Sequence, residues 1–198
     1  MSGIVGSKFN IRGSGLVGSL GTDGQHMLSA GPGKTNVFET AAGGGKIGQV
    51  LNVTKTDTFT VTGNSFQDFT DMTLAITPAA TSSKILWNFC TQGSSCDQGW
   101  VRIVYGDASA LTTQAIADAA GSRQRGTSGI LGSSGATRQS SVTVMGLDAP
   151  NTTSATTYKL QVCGILNKTI YMNRSETYTD NSSHGNCITT LTLMEVLG

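Results

Sequence analysis

From about residue 47 onward, apolar and hydroxyl-bearing residues alternate, and that period of two constrains the fold more than any other feature. Phe59 and Val61 alternate with Thr58, Thr60 and Thr62, and Met72, Leu74 and Ile76 with Thr73, Ala75 and Thr77. Ile85, Trp87 and Phe89 share one face, as do Val101, Ile103 and Tyr105. Val142 with Val144, Tyr158 with Leu160 and Val162, Ile170 with Met172, and Leu191 with Leu193 continue the series. Successive side chains of a strand point to opposite faces, so each run reads as a strand with one face in a core. TPAATSS, QGSSCDQG, LDAPNTTS and DNSSHGN carry the turn residues between runs. Eight or nine strands in 150 residues predict an all-β fold, an antiparallel β-sandwich or jelly roll. The one stretch of helical length, ASALTTQAIADAAGSR, has no clean apolar stripe and also reads as strand plus loop.

What keeps such a chain in solution is hydroxyl rather than charge. Ser and Thr supply 49 of the 198 residues, charged residues only 13%, and the formal net charge is +1. Nucleic-acid binding is not expected, because phosphate neutralisation needs clustered Lys and Arg. No apolar run reaches 18 residues, so no membrane insertion is expected. The opening MSGIVGSKFNIRG has no apolar core of a secretion signal.

Residues 1–46 differ in character. Half of the 26 glycines fall in residues 1–48, and Ile4, Val5, Phe9, Ile11, Leu16, Val17 and Leu20 stand isolated among them without a sustained period. Such a segment cannot bury enough surface alone to offset its backbone entropy. It is expected to be disordered in the free protein and to act as an extended docking arm. Its seven large apolar residues would be the anchors and AAGGGK the hinge to a β domain over 47–198.

Two nucleotide-like motifs in the arm fail on context. Gly13, Gly15 and Gly18 match G-x-G-x-x-G, but Gly21 and Gly24 follow at once, so no helix can start where the pyrophosphate would sit. AGPGKT ends like a phosphate loop, yet its required first glycine falls at Leu28. No cofactor is expected. Catalysis has little to work with either: the two histidines are His26 and His184, and GSSGA breaks the nucleophile-elbow pattern at Ala136. The chain reads as a non-enzyme.

Of the four cysteines, none forms a C-x-x-C pair, which argues against zinc, and no metal site is expected. Cys90 and Cys96 flank TQGSS, a loop-like stretch short enough for a disulfide; Cys163 with Cys187 is the weaker pairing, and free thiols acting as small apolar fillers are the alternative. Arg123, Arg125 and Arg138 sit in the longest irregular stretch, as a solubilising loop or as a contact for a neighbouring subunit or an anionic cell-surface sugar. Alternation assigns Leu86, Val104 and Met194 outward. Apolar side chains there predict a face covered by a neighbour, hence a homo-oligomer.

Several stretches carry a resemblance. SGIVGSKFNIRGSGLVGSLGTDGQHMLSAGPGK followed by VFET, then GGKIGQV, FQDFTDMTLAITPAATSSKIL, DAAGSR, LDAPNTTSATTYKLQV, IYMNRS and TLTLMEV cover most of the chain. Together they resemble structural proteins of tailed bacteriophages of marine bacteria, the tail-fibre or virion appendage proteins. Trp87, Phe89, Cys90 and Cys96 depart from that pattern. The resemblance implies a virion protein made in the bacterial cytoplasm. Its N-terminal arm would join other particle proteins, and its β domain would project as a homotrimer toward a host-surface glycan or protein. A capsid decoration protein that cements the shell without binding a receptor is the alternative. The strand order is also similar to jelly rolls of the tumour-necrosis-factor type.

Overall fold

The computed structural model describes Thr22 and residues 25–28, 37–40, 46–95, 97–107, 110–112, 115–131 and 137–198. Two compact units divide the chain, residues 1–46 and residues 47–198. In the first, β1 (Gln25–Leu28) and β2 (Val37–Thr40) pair antiparallel, Gln25 opposite Thr40 and Leu28 opposite Val37. Ordered pairing therefore exists in a segment whose sequence has no sustained period. The apolar residues from Ile4 to Leu20 lie outside the described residues.

The second unit is all-β and antiparallel, and among its described residues there is no helix. Its strands are β3 (Ile47–Lys55), β4 (Phe59–Thr62), β5 (Gln67–Ile76), β6 (Lys84–Ser95), β7 (Gln98–Asp107), β8 (Ala110–Thr112), β9 (Ser128–Leu131), β10 (Ser140–Asp148), β11 (Thr156–Gly164), β12 (Thr169–Met172) and β13 (Thr189–Val196). All eight runs of alternation are strands. The helix-length stretch holds the three-residue β8 followed by turns, in line with its missing apolar stripe.

Pairing is nested. β3 pairs β13, β5 pairs β11, β6 pairs β10, and β7 pairs both β8 and β9. β13 then joins β6 and β11 joins β7, which closes two sheets. The short β12 and β4 continue the first sheet beside the far end of β6.

Register lines up the predicted inward residues in rows. Val53, Leu191, Phe89 and Val144 are cross-strand neighbours, as are Leu51, Leu193, Trp87 and Gly146. Their face meets Phe69, Met72, Ile76, Val101, Ile103, Tyr158, Leu160 and Val162 of the second sheet in one core. Side chains of this kind contribute about 1.5–3 kcal/mol each on full burial. β5 carries an irregularity opposite Lys159 and Gln161, with Asp71 in left-handed backbone, φ 65°. The displaced strand brings the Asp71 carboxylate 3.2 Å from the buried ammonium of Lys55, which Asp57 also holds at 2.9 Å.

The disulfide expectation fails. Cys90, Cys163 and Cys187 are free thiols. TQGSS is not a loop but the second half of β6, and five extended residues at about 3.3 Å each carry the chain some 17 Å from Cys90 by Ser95. Cys96 itself lies outside the described residues. Cys163 is fully buried, so of the alternatives it is the small apolar filler.

Candidate functional sites

A buried asparagine organises one end of the domain. Asn173 follows β12 in left-handed backbone, φ 63°, a conformation Asn tolerates better than other residues with a Cβ. Its Nδ2 donates to the carbonyls of Lys55 at 3.2 Å and Asp57 at 2.9 Å, while its Oδ1 accepts from Thr189 Oγ1 at 2.7 Å. Thr189 has one hydroxyl proton, so the 2.8 Å contact with Thr91 must be donated by Thr91. The Asn173 backbone donates to Gln92 and accepts from Cys187. One residue thus joins β3 and β13 through its side chain, and β6 and the base of the loop from Arg174 to Cys187 through its backbone.

That loop carries a small polar pocket of about 300 Å³, lined by Tyr178, Thr179, Asp180, Asn181, His184 and Asn186. Arg174, bridged to Asn186 at the loop stem, places its guanidinium 4.4 Å from the ring centre of Tyr171 and 4.9 Å from that of Tyr178. A cation over a ring face is attracted by the ring quadrupole, so Tyr178 is held by its backing although it is 46% exposed. His184 Nδ1 is held inside the loop by Thr179, whose amide lies 3.2 Å and whose hydroxyl and carbonyl lie 3.1 Å from it, which leaves Nε2 free of the loop's own bonds. Asn181 Oδ1 accepts from the Ser183 amide and hydroxyl, both at 2.9 Å. His184 was legible in the sequence as a polar-loop histidine; Arg174 and Tyr178 were not, because their stacking depends on the closed loop.

A second, larger cleft of about 530 Å³ lies between the end of β7 and the loop after β10. Its Asp148 accepts from the buried Tyr158 hydroxyl at 2.6 Å, and Tyr158 stacks on Tyr105 with centroids 5.1 Å apart. These groups hold the core closed. Among the described residues no group of three or more His, Cys, Asp or Glu side chains could hold a metal ion.

The third feature is the open face of the first sheet. Val50, Met194, Leu86 and Leu147 are successive cross-strand partners across β3, β13, β6 and β10. Val50 is 57% and Leu147 55% exposed, and Met145 in the adjoining row is 63% exposed. The next rows hold Asn52, Thr192 and Asn88, then Thr54, Thr190, Cys90 and Thr143. Three rows across four strands, none of them charged, cover on the order of 400 Å².

Of the residues expected outward, Leu86 and Met194 lie side by side in this apolar row. Val104 does not belong with them. It is 3% exposed, buried by its own chain, and offers no surface to a neighbour. The sequence also missed Val50, Met145 and Leu147, whose signal was present: each alternates with an inward residue of its own strand.

The arginine stretch is partly committed. Arg125 Nε donates to the Ala117 carbonyl at 2.7 Å and Arg123 Nη1 to the Ala120 carbonyl at 3.2 Å. Two of its three guanidinium groups thus brace their own loop. No protein-family model matches the chain, and no curated protein matches it.

Proposed function

We propose that this chain is a structural protein of a bacteriophage virion, a surface appendage whose N-terminal arm docks on the particle and whose β domain projects as a homotrimer toward the host. On this reading it binds and assembles rather than catalyses. The observation that carries it is the uncharged row Val50–Met194–Leu86–Leu147 on the open sheet face. A solvated antiparallel face ordinarily alternates to polar residues, and four apolar side chains in register favour a covering copy of the same chain. The nested pairing supports a finer description of the fold. Counting β3, β5, β6, β7, β9, β10, β11 and β13 as eight strands, the first pairs the eighth, the second the seventh, the third the sixth and the fourth the fifth. That is the order of a jelly roll. The resemblance of the opening segment supports the virion assignment.

Two measurements test it. The mass of the full chain by sedimentation equilibrium is expected at three times 20.5 kDa; a monomer at micromolar concentration overturns the trimer. Antibodies against residues 47–198 are expected to decorate purified phage particles under the electron microscope, and particles that lack the protein overturn the virion assignment.

A further inference from the structure

The pocket on the Arg174–Asn186 loop combines three things rarely found together on a surface loop. It has an exposed aromatic ring, a rigid backing for that ring, and a rim of uncommitted polar groups. The Arg174 guanidinium over both Tyr171 and Tyr178 fixes the ring plane, and Tyr178 lines the pocket. Around it stand the Asp180 carboxylate and the Asn186 amide, which make no side-chain hydrogen bond among the described residues. The Nε2 of His184 and the Nδ2 of Asn181 complete the rim, their other atoms being used inside the loop.

We propose that this pocket binds a neutral pyranose sugar, with the carbon-rich face of the ring stacked on Tyr178 and the hydroxyls taken up by Asp180, Asn186 and His184. A pyranose offers one apolar face of C–H groups and a rim of hydroxyls that both donate and accept. The pocket offers the matching set, an aromatic surface beside one acceptor-only carboxylate, amides of both kinds and one imidazole nitrogen. Its volume of about 300 Å³ suits a single ring. Charge argues against an anion: Asp180 in the lining and Glu176 on the same loop outnumber the one guanidinium of Arg174, which lies over the two rings. The loop is braced before any ligand arrives, by Asn173 to Cys187, Gln139 to the Gly185 carbonyl at 2.9 Å, and Ser175 to the Thr177 carbonyl at 2.6 Å. Binding then orders little new backbone, which is what a weak ligand requires. The inference is independent of the virion assignment, since a sugar site can serve on any surface.

The test uses the full chain and methyl pyranosides of glucose, galactose, mannose, N-acetylglucosamine and rhamnose, with the methyl glycoside of galacturonic acid, its carboxylate free, as the anionic arm. Tyr178 and His184 ring resonances are followed by NMR, His184 serving as the reporter in the Tyr178 variants. At least one neutral glycoside is expected to shift them saturably with millimolar affinity. Tyr178→Ala is expected to weaken binding at least about tenfold, roughly 1.4 kcal/mol, while Tyr178→Phe keeps it. Asp180→Asn, an exposed change that leaves the fold alone, is expected to weaken it as well. No saturable shift with any neutral glycoside overturns the proposal. So does binding indifferent to both Tyr178→Ala and Asp180→Asn, or a preference for the uronate.

Discussion

Replacing Asn173 with alanine tests whether one buried side chain holds the loop end of the domain together. The substitution strips the carbonyls of Lys55 and Asp57 of their donor and Thr189 of its acceptor. Asn173 and Thr189 are both fully buried, so water does not readily replace what is lost. Each buried group left unpaired costs about 1–3 kcal/mol; with two of the three deprived of water, that is about 2–6 kcal/mol. Alanine at a φ of 63° adds about 1–2 kcal/mol of backbone strain. The sum, about 3–8 kcal/mol, is a large part of the total stability of an ordinary domain. Glycine separates the two contributions: Asn173→Gly loses the same hydrogen bonds but adopts the backbone freely. It is therefore expected to be the milder variant by about 1 kcal/mol. Urea unfolding monitored by far-ultraviolet circular dichroism measures both, with the slope checked for constancy. An Asn173→Ala protein within about 0.5 kcal/mol of the parent at unchanged slope would refute the hydrogen-bond argument. A glycine variant less stable than the alanine one would refute the backbone argument.

Other perturbations follow from single contacts. Leu147→Asp is expected to dissociate the proposed homotrimer while keeping a β spectrum, whereas Val104→Asp buries an unpaired carboxylate and is expected to abolish folding; a folded Val104→Asp monomer in sedimentation would contradict the burial. Gly146→Ala would place a methyl 2.1 Å from the Trp87 ring, itself stacked on Phe89, so a loss of about 1–3 kcal/mol and altered Trp87 fluorescence are expected. The Ala79 amide first, with Gln49 adding to it, holds the Glu195 carboxyl below its ordinary 4.5. Its stabilisation is complete above that value and is lost as pH falls through the lowered one, so the midpoint of acid unfolding is expected to rise in Glu195→Gln. At the alkaline end, burial raises the Tyr158 hydroxyl, with Asp148 adding to it, and lifts the Cys163 thiol from 9.0 to about 11 despite the pull of Arg102. Both stay protonated in the folded protein after they ionise in the unfolded chain. Stability is therefore expected to fall above pH 9, and less steeply in Cys163→Ala, as melting across an alkaline series would read.

Alternation by itself determined that this protein is all-β, where eight of its strands lie and which side chains fill its core. A period of two is a local property that any strand with one buried face must write into its residues. Alternation failed where both faces are apolar or the run is short. β3 mixes inward Leu51 and Val53 with outward Val50, β8 has three residues, and β9 sets Ile130 directly beside Leu131 with no alternation. Pairing belongs to the tertiary structure alone, because β3 meets β13 across some 140 residues and nothing local names that partner. Outward positions are equally silent about what lies over them. Leu86 and Met194 face solvent beside Val50 and Leu147, Val104 is covered by its own chain, and TQGSS after Cys90 extends instead of turning. A side chain's face is set by its neighbours one and two residues away; its environment is set by segments that only folding brings near.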